Sequence, residues 1–169
     1  MAIITLNNNS LSSITSLPAA ISTGKAIQVV TSTTGTNTQI STGADTDTSL
    51  SASITPTSSS NKVLVLVSQS VQFQRDAGSG YEIAATTKLF RDSTQLSKKV
   101  SSIGVGSGPT GTQGGRDGLA FAVLDSPSTT SSVTYKTTGS CSATANNGTI
   151  RYNEGGNTKG EITLIEVAS

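Results

Sequence analysis

This sequence predicts an all-β fold: a jelly-roll-like antiparallel β-sandwich of about eight strands behind a short N-terminal arm. Three observations predict it. Short runs rich in Val, Ile, Thr and aromatic residues recur along the chain, several alternating apolar and polar positions at period two. Clusters of Gly, Pro, Asn, Asp and Ser punctuate those runs. No segment makes a convincing helix, in a chain where roughly a third of the residues are Ser or Thr.

Residues 1–24 read as an anchoring and assembly arm, and residues 25–169 as the sandwich domain. Within the arm, Leu11, Ile14, Leu17 and Ile21 recur at spacings of three, three and four, which would set them on one helical stripe. Pro18 interrupts that pattern and the surrounding Ser and Thr are poor helix formers, so an irregular arm studded with apolar anchors reads equally well. Either way the stripe needs something else to lie against.

Beyond Gly24 the texture turns to β. Residues 25–30 read as a first strand and 49–54 as a second, joined by a long Thr/Gly/Asn loop. Pro56 and Ser58-Ser59-Ser60-Asn61 turn the chain into 62–73, the strongest strand signal. Its first half is continuously apolar, as for a central strand covered on both faces; its second half alternates Val71 and Phe73 with Gln72 and Gln74. Residues 75–80 are turn-rich and lead to a strand at 81–90. A hairpin centres on Asp92-Ser93, whose side chains can bond the local backbone, and Gln95-Leu96 begins its return strand. Residues 104–115 are too glycine-rich for a regular element and read as a mobile loop.

Strands follow at 118–124 and 132–137, separated by the turn Asp125-Ser126-Pro127-Ser128. Asn147-Gly148 is the best hairpin signal, because a type I′ turn needs two positive φ angles; 142–145 and 149–152 flank it. Residues 161–167 close the chain as a final strand. Early and late strands both look central, and a jelly roll places its first and last strands near one another.

Composition narrows the function. The chain has 169 residues, the size of one domain, with 33% hydrophobic and 12% charged residues. Eleven Lys and Arg against ten Asp and Glu leave a net charge of +1, without a basic field to draw in nucleic acid. Charge is also unevenly placed, since the first sixty residues carry only Lys25, Asp45 and Asp47. There is no histidine, so the usual imidazole routes to catalysis are absent, and no cofactor or metal is expected. Cys141, the single cysteine, sits among small residues and reads as a buried small hydrophobe. No run reaches the length of a membrane span, and Met1-Ala2-Ile3-Ile4-Thr5-Leu6 lacks the form of a signal peptide, so the expectation is a chain made soluble in the cytoplasm.

Each chemical motif has a plainer reading. Gly104-Val105-Gly106-Ser107-Gly108 lacks the Gly-Lys-Ser/Thr of a phosphate cradle and reads as a surface loop. Asp45 and Asp47 lack the further acidic ligands of a calcium loop. Glu154, Glu161 and Glu166 could pair as glycosidase carboxylates only if the fold joined them, and read as scattered surface acids. Tyr81, Tyr135 and Tyr152 read as sheet-packing aromatics before contact residues. The chain is therefore read as non-enzymatic.

The order of several segments carries a resemblance. Asn8-Asn9-Ser10-Leu11-Ser12-Ser13-Ile14-Thr15-Ser16-Leu17-Pro18-Ala19-Ala20-Ile21, Gly24-Lys25 and Gln28-Val29-Val30 open it, followed by Ser53-Ile54-Thr55-Pro56 and Lys62-Val63-Leu64-Val65. Leu124-Asp125-Ser126-Pro127-Ser128-Thr129-Thr130-Ser131-Ser132-Val133-Thr134-Tyr135-Lys136 and Ile162-Thr163-Leu164-Ile165-Glu166-Val167-Ala168 continue it over nearly the whole chain. Together they resemble small tail-fibre-like virion structural proteins of marine bacteriophages, of the cyanophage type. The resemblance implies a virion surface protein, a β-sandwich forming a homotrimer, held to capsid or tail proteins by its N-terminal arm. It transfers no catalytic residue. The anchoring residues would be Leu11, Ile14, Leu17, Pro18 and Ile21. As a fibre-type head, the protein would present Arg75, Asp76, Gly106, Pro109, Gln113 and Arg116 to a host surface glycan or protein. As a capsid decoration protein it would instead clamp shell subunits through the arm. A carbohydrate-binding module stands as a reading outside that class. Neither nucleic acid binding nor membrane insertion is expected.

Overall fold

The computed structural model describes residues 25–76, 81–105, 112–142, 147–155 and 158–169. The arm, with Leu11, Ile14, Leu17, Pro18 and Ile21, lies outside the described residues, as do Gly106 and Pro109. Among the described residues the strands are β1 (Ala26–Thr34), β2 (Thr38–Ile40), β3 (Thr46–Ile54), β4 (Lys62–Asp76), β5 (Tyr81–Arg91), β6 (Thr94–Val105), β7 (Thr112–Asp125), β8 (Val133–Cys141), β9 (Thr149–Tyr152) and β10 (Gly160–Val167).

These strands form two sheets, one of six strands and one of four. In the larger sheet β1, β10, β4 and β7 are neighbours in that order; in the smaller the order is β3, β8, β5, β6. Every ladder is antiparallel. The pairs β1–β10, β3–β8, β4–β7 and β5–β6 lay the first half of the chain against the second as one long ribbon. The β10–β4 and β8–β5 ladders then roll that ribbon into two layers, which is the jelly-roll topology that the sequence predicts.

One strand exceeds the predicted set, and one predicted strand finds other partners. The long Thr/Gly/Asn loop contains β2, which pairs with β9 from Thr38↔Tyr152 to Ile40↔Ile150. β9 in turn pairs with β4 at residues 71–74, on the edge that β10 occupies lower down, because β7 fills the other edge along nearly the whole strand. The hairpin expected at Asn147-Gly148 does not form. β8 and β9 belong to different sheets, β9 pairs with β2 and β4, and of the two turn residues only Asn147 takes a positive φ, 54°. The Asp92-Ser93 hairpin does form. Asp92 has a φ of 51°, and its Oδ1 accepts a hydrogen bond from the Thr134 amide at 3.0 Å, tying the turn to β8.

The core lies between the layers and follows the period-two pattern. Val63, Val65, Val67, Val71 and Phe73 of β4 face Leu50, Ala52 and Ile54 of β3, Ile83, Ala85 and Leu89 of β5, and Val133 and Tyr135 of β8. Cys141 is buried with them, as expected of a small hydrophobe. Two bonded sets of polar groups enter this core. The amide of Gln69 donates to Thr48 Oγ1 at 3.2 Å while its carbonyl oxygen accepts from Thr137 Oγ1 at 3.1 Å. Thr87 and the Tyr152 hydroxyl meet at 2.5 Å. Both sets join one sheet to the other, and such satisfied networks define how the layers sit against each other. Burial pushes the Tyr152 phenol up to about 12. Its ring presses on Gly139, where a Cβ would come within 2.5 Å of ring carbon Cε2.

Candidate functional site

The strand directions sort the surface into two ends. Antiparallel pairing sets Lys62 of β4 beside Val167 of β10, Ala26 of β1 beside Val167, and Asp125 of β7 beside Val63. Lys25 therefore enters, and the C-terminal residues leave, at the same end as the connections 55–61, 92–93 and 126–132. The β4–β5, β6–β7 and β8–β9 connections depart from the opposite end.

The terminal end is locked by two carboxylates, Glu166 buried and Asp125 half-buried. A bulge at Ile27 in β1 turns Gln28 toward Glu166, which is fully buried at the inner face of β10. Glu166 Oε2 accepts from Gln28 Nε2 at 2.5 Å, and Oε1 accepts from the Thr57 amide at 2.8 Å, Thr57 Oγ1 at 2.8 Å and Asn61 Nδ2 at 2.6 Å. Desolvation pushes this carboxyl up, but the bonds from Asn61, Gln28 and Thr57 outweigh it and hold it down at about 2. Asp125 Oδ2 accepts from Arg91 Nη1 at 2.6 Å and from the Tyr135 hydroxyl at 2.7 Å. Burial, and then the bond to Asp125, push the Tyr135 phenol well above its usual range. The last two residues close this end: Ala168 N donates to Lys25 O at 3.0 Å, and the Ser169 hydroxyl Oγ donates to Ser60 O at 2.7 Å.

At the opposite end, the candidate contact residues divide. Arg75 and Asp76 belong to β4, paired with Gln113 and Thr112, so the turn expected at 75–80 begins only after Asp76. Arg75 is 4% exposed. Gln113 and Arg116 belong to β7, and Gly104 and Val105 to β6, so both strands run well into the glycine-rich segment expected to be a loop. Gly114 shows why glycine suits a strand there: a Cβ would lie 2.4 Å from the Phe73 carbonyl oxygen. Asp76 and Arg116 are exposed.

The three glutamates do not come together, and Glu166, read as a surface acid, is instead buried. Glu161 and Glu166 point to opposite faces of β10, the first exposed and the second buried, and Glu154 is paired with Arg151 at 3.2 Å. Asp45 and Asp47 pair with Lys88 at 2.6 Å and Lys136 at 3.8 Å. Among the described residues no group of three or more His, Cys, Asp or Glu is placed to hold a metal ion. Tyr135 and Tyr152 are buried in the core, as packing aromatics.

One surface feature was not singled out in the sequence. On the outer face of the larger sheet, Val29, Ile165, Leu64 and Leu124 stand side by side across β1, β10, β4 and β7. The next row is Thr31, Thr163, Leu66 and Ala122. Val29 is 60%, Leu124 56% and Leu66 37% exposed. This corrects the expectation that β4 is covered on both faces, since among the described residues nothing covers its outer one. The legible signal was the uninterrupted apolar run Val63-Leu64-Val65-Leu66-Val67, which a half-exposed strand does not need.

Neither a family model nor a curated protein matches this sequence. Solved structures do. The chain is similar to a structure of infectious bursal disease virus, Gx strain, at 15% identity and a TM-score of 0.34, over 84% of this chain and 37% of that one. It is also similar to T=1 particles derived from that virus, at 14% identity and a TM-score of 0.35, over 85% and 37%. The VP2 subviral particle of the same virus matches at 15% identity and a TM-score of 0.33, over 85% and 39%. The chain thus spans well under half the length of these proteins, and at such scores the jelly-roll assignment rests on this chain's own strand order.

Proposed function

We propose that this chain is a non-enzymatic structural protein displayed on the surface of a virus particle, where it serves as a trimeric head for host attachment. The observation that carries this reading is the polarity of the jelly roll: Lys25, where the arm joins, lies at one end, and the strand ends that lead into the β4–β5 and β6–β7 connections lie at the other. Such a body is suited to being tethered at its base, through Leu11, Ile14, Leu17, Pro18 and Ile21, to capsid or tail proteins. Its far end then offers Asp76, Gly106, Pro109, Gln113 and Arg116 to a host glycan or protein. Arg75, buried in the strand, acts in that scheme by supporting the rim. The terminal end is stiffened by the Glu166 and Asp125 networks, which suits a mechanical base. Among the described residues no helix is long and apolar enough to cross a membrane.

Deleting residues 1–23 is expected to leave the sandwich folded and to abolish incorporation into particles; unchanged incorporation refutes the tether. Copy number per particle separates the head from its alternative, because a decoration protein follows the number of shell subunits and a fibre head does not. A stable monomer in sedimentation at micromolar concentration removes the trimer.

A further inference from the structure

The outer face of the larger sheet is built for an occupant. Its row of Val29, Ile165, Leu64 and Leu124 spans four adjacent strands, roughly 15 Å at the usual strand spacing. Beside it lies a shallow groove of about 360 Å3, over Leu66, Ser68, Ala120, Ala122 and Thr163, where small side chains leave room between larger ones. Apart from Glu161 at the groove's far rim, these positions carry no charge.

The same chain carries a second set of apolar residues, in the sequence outside the described residues. Residues 1–24 contain Leu11, Ile14, Leu17 and Ile21 and no charged side chain. They join the fold at Lys25, whose carbonyl is fixed by the Ala168 amide at 3.0 Å, directly before β1, the strand that carries Val29. We infer that residues 1–24 of each chain lie across the outer face of its own β1–β10–β4–β7 sheet, seating their apolar side chains on the Val29–Leu124 row and in the groove beside it.

Length permits this with a wide margin, since 24 residues reach about 80 Å when extended and the sheet is crossed in a fraction of that. Area argues for a tethered segment over a second copy. A stable interface between separate molecules buries about 800 Å2 on each partner, whereas two rows of side chains offer on the order of a few hundred Å2. A segment covalently joined at the edge of the face binds at millimolar effective concentration and needs less surface. Uncharged arm and uncharged rows also match, with no ion to desolvate. This concerns the free chain, and it stands whether or not the arm later engages a particle.

The test uses full-length protein with Leu124→Cys as a reporter on the face and Lys98→Cys as a control on the exposed outer face of the other sheet; native Cys141 is buried and is subtracted as background. Maleimide alkylation of each is compared with that in a full-length variant whose Leu11, Ile14, Leu17 and Ile21 are all serine. Leu124→Cys is expected to react about tenfold more slowly with the native arm, the factor given by a dock worth about 1.4 kcal/mol, and Lys98→Cys equally in both. The protection is expected to be independent of protein concentration. Equal rates for Leu124→Cys overturn the inference, and so does protection that grows with concentration, which places a second copy on the face. Particle incorporation is not read in this experiment, so its failure and that of the virion reading are separate.

Discussion

The central rows of the sandwich's two outer faces differ sharply. On the smaller sheet, Asp47, Thr138, Lys88 and Lys98 form one cross-strand row, and Ser51, Lys136, Phe90 and Gln95 another. Lys88 pairs there with Asp45 at 2.6 Å and Lys136 with Asp47 at 3.8 Å. On the larger sheet, the equivalent central rows are Val29–Ile165–Leu64–Leu124 and Thr31–Thr163–Leu66–Ala122, with no charge at all. Both sheets share one core and the same period-two rule, so the difference is not a demand of folding. Water suffices for the charged face, and the apolar face calls for a covering that the described residues do not supply.

The strongest way to break this contrast is to remove the common core. Phe73, fully buried between the layers, is expected to cost about 3–5 kcal/mol when changed to alanine. Both faces should fail together in one denaturant transition, followed by cysteine reporters on each; separate transitions would mean that the sheets are independent units.

A smaller, one-sided effect is expected at Glu166. Its carboxyl is held at about 2 against an ordinary 4.5, so its contribution is complete above pH 4.5 and is lost as the pH falls toward 2. Glu166 grips Gln28 of β1, the strand bearing Val29, while the charged face lies on strands that it does not touch. Hydrogen exchange should therefore rise in β1 before β5 and β6 on acidification. Glu166→Gln should cost about 1–3 kcal/mol at neutral pH and flatten the acid dependence of the urea midpoint. Simultaneous exchange in all three strands would deny the grip.

The least effect belongs to the charged face. Lys88→Ala removes a partly exposed ion pair and should change stability by less than about 1 kcal/mol, with the difference shrinking in high salt. A larger loss would mean that this face, too, is more than solvated surface.

Much of the fold was legible in local pattern. Residues 62–73, 81–90, 118–124 and 161–167 all lie within observed strands, because alternating or continuous apolar runs have few other uses at that length. The Asp92-Ser93 turn was legible for the same reason, as a short polar step between two such runs. Asn147-Gly148 misled because its local preference for a hairpin yields to the jelly roll, which needs β9 in the other sheet. Arg75 and Gln113 were read as loop residues because glycine-rich neighbours disguised the far ends of β4 and β7, where a long partner strand imposes the ladder.

The sequence by itself determined an all-β chain and the period-two alternation of most of its strands, because side-chain alternation and residue type are local properties. Tertiary structure alone decided which strands are neighbours, and with that which outward residues meet. Val29, Leu64, Leu124 and Ile165 come from four distant parts of the chain, and only the rolled order of β1, β10, β4 and β7 aligns them into one surface.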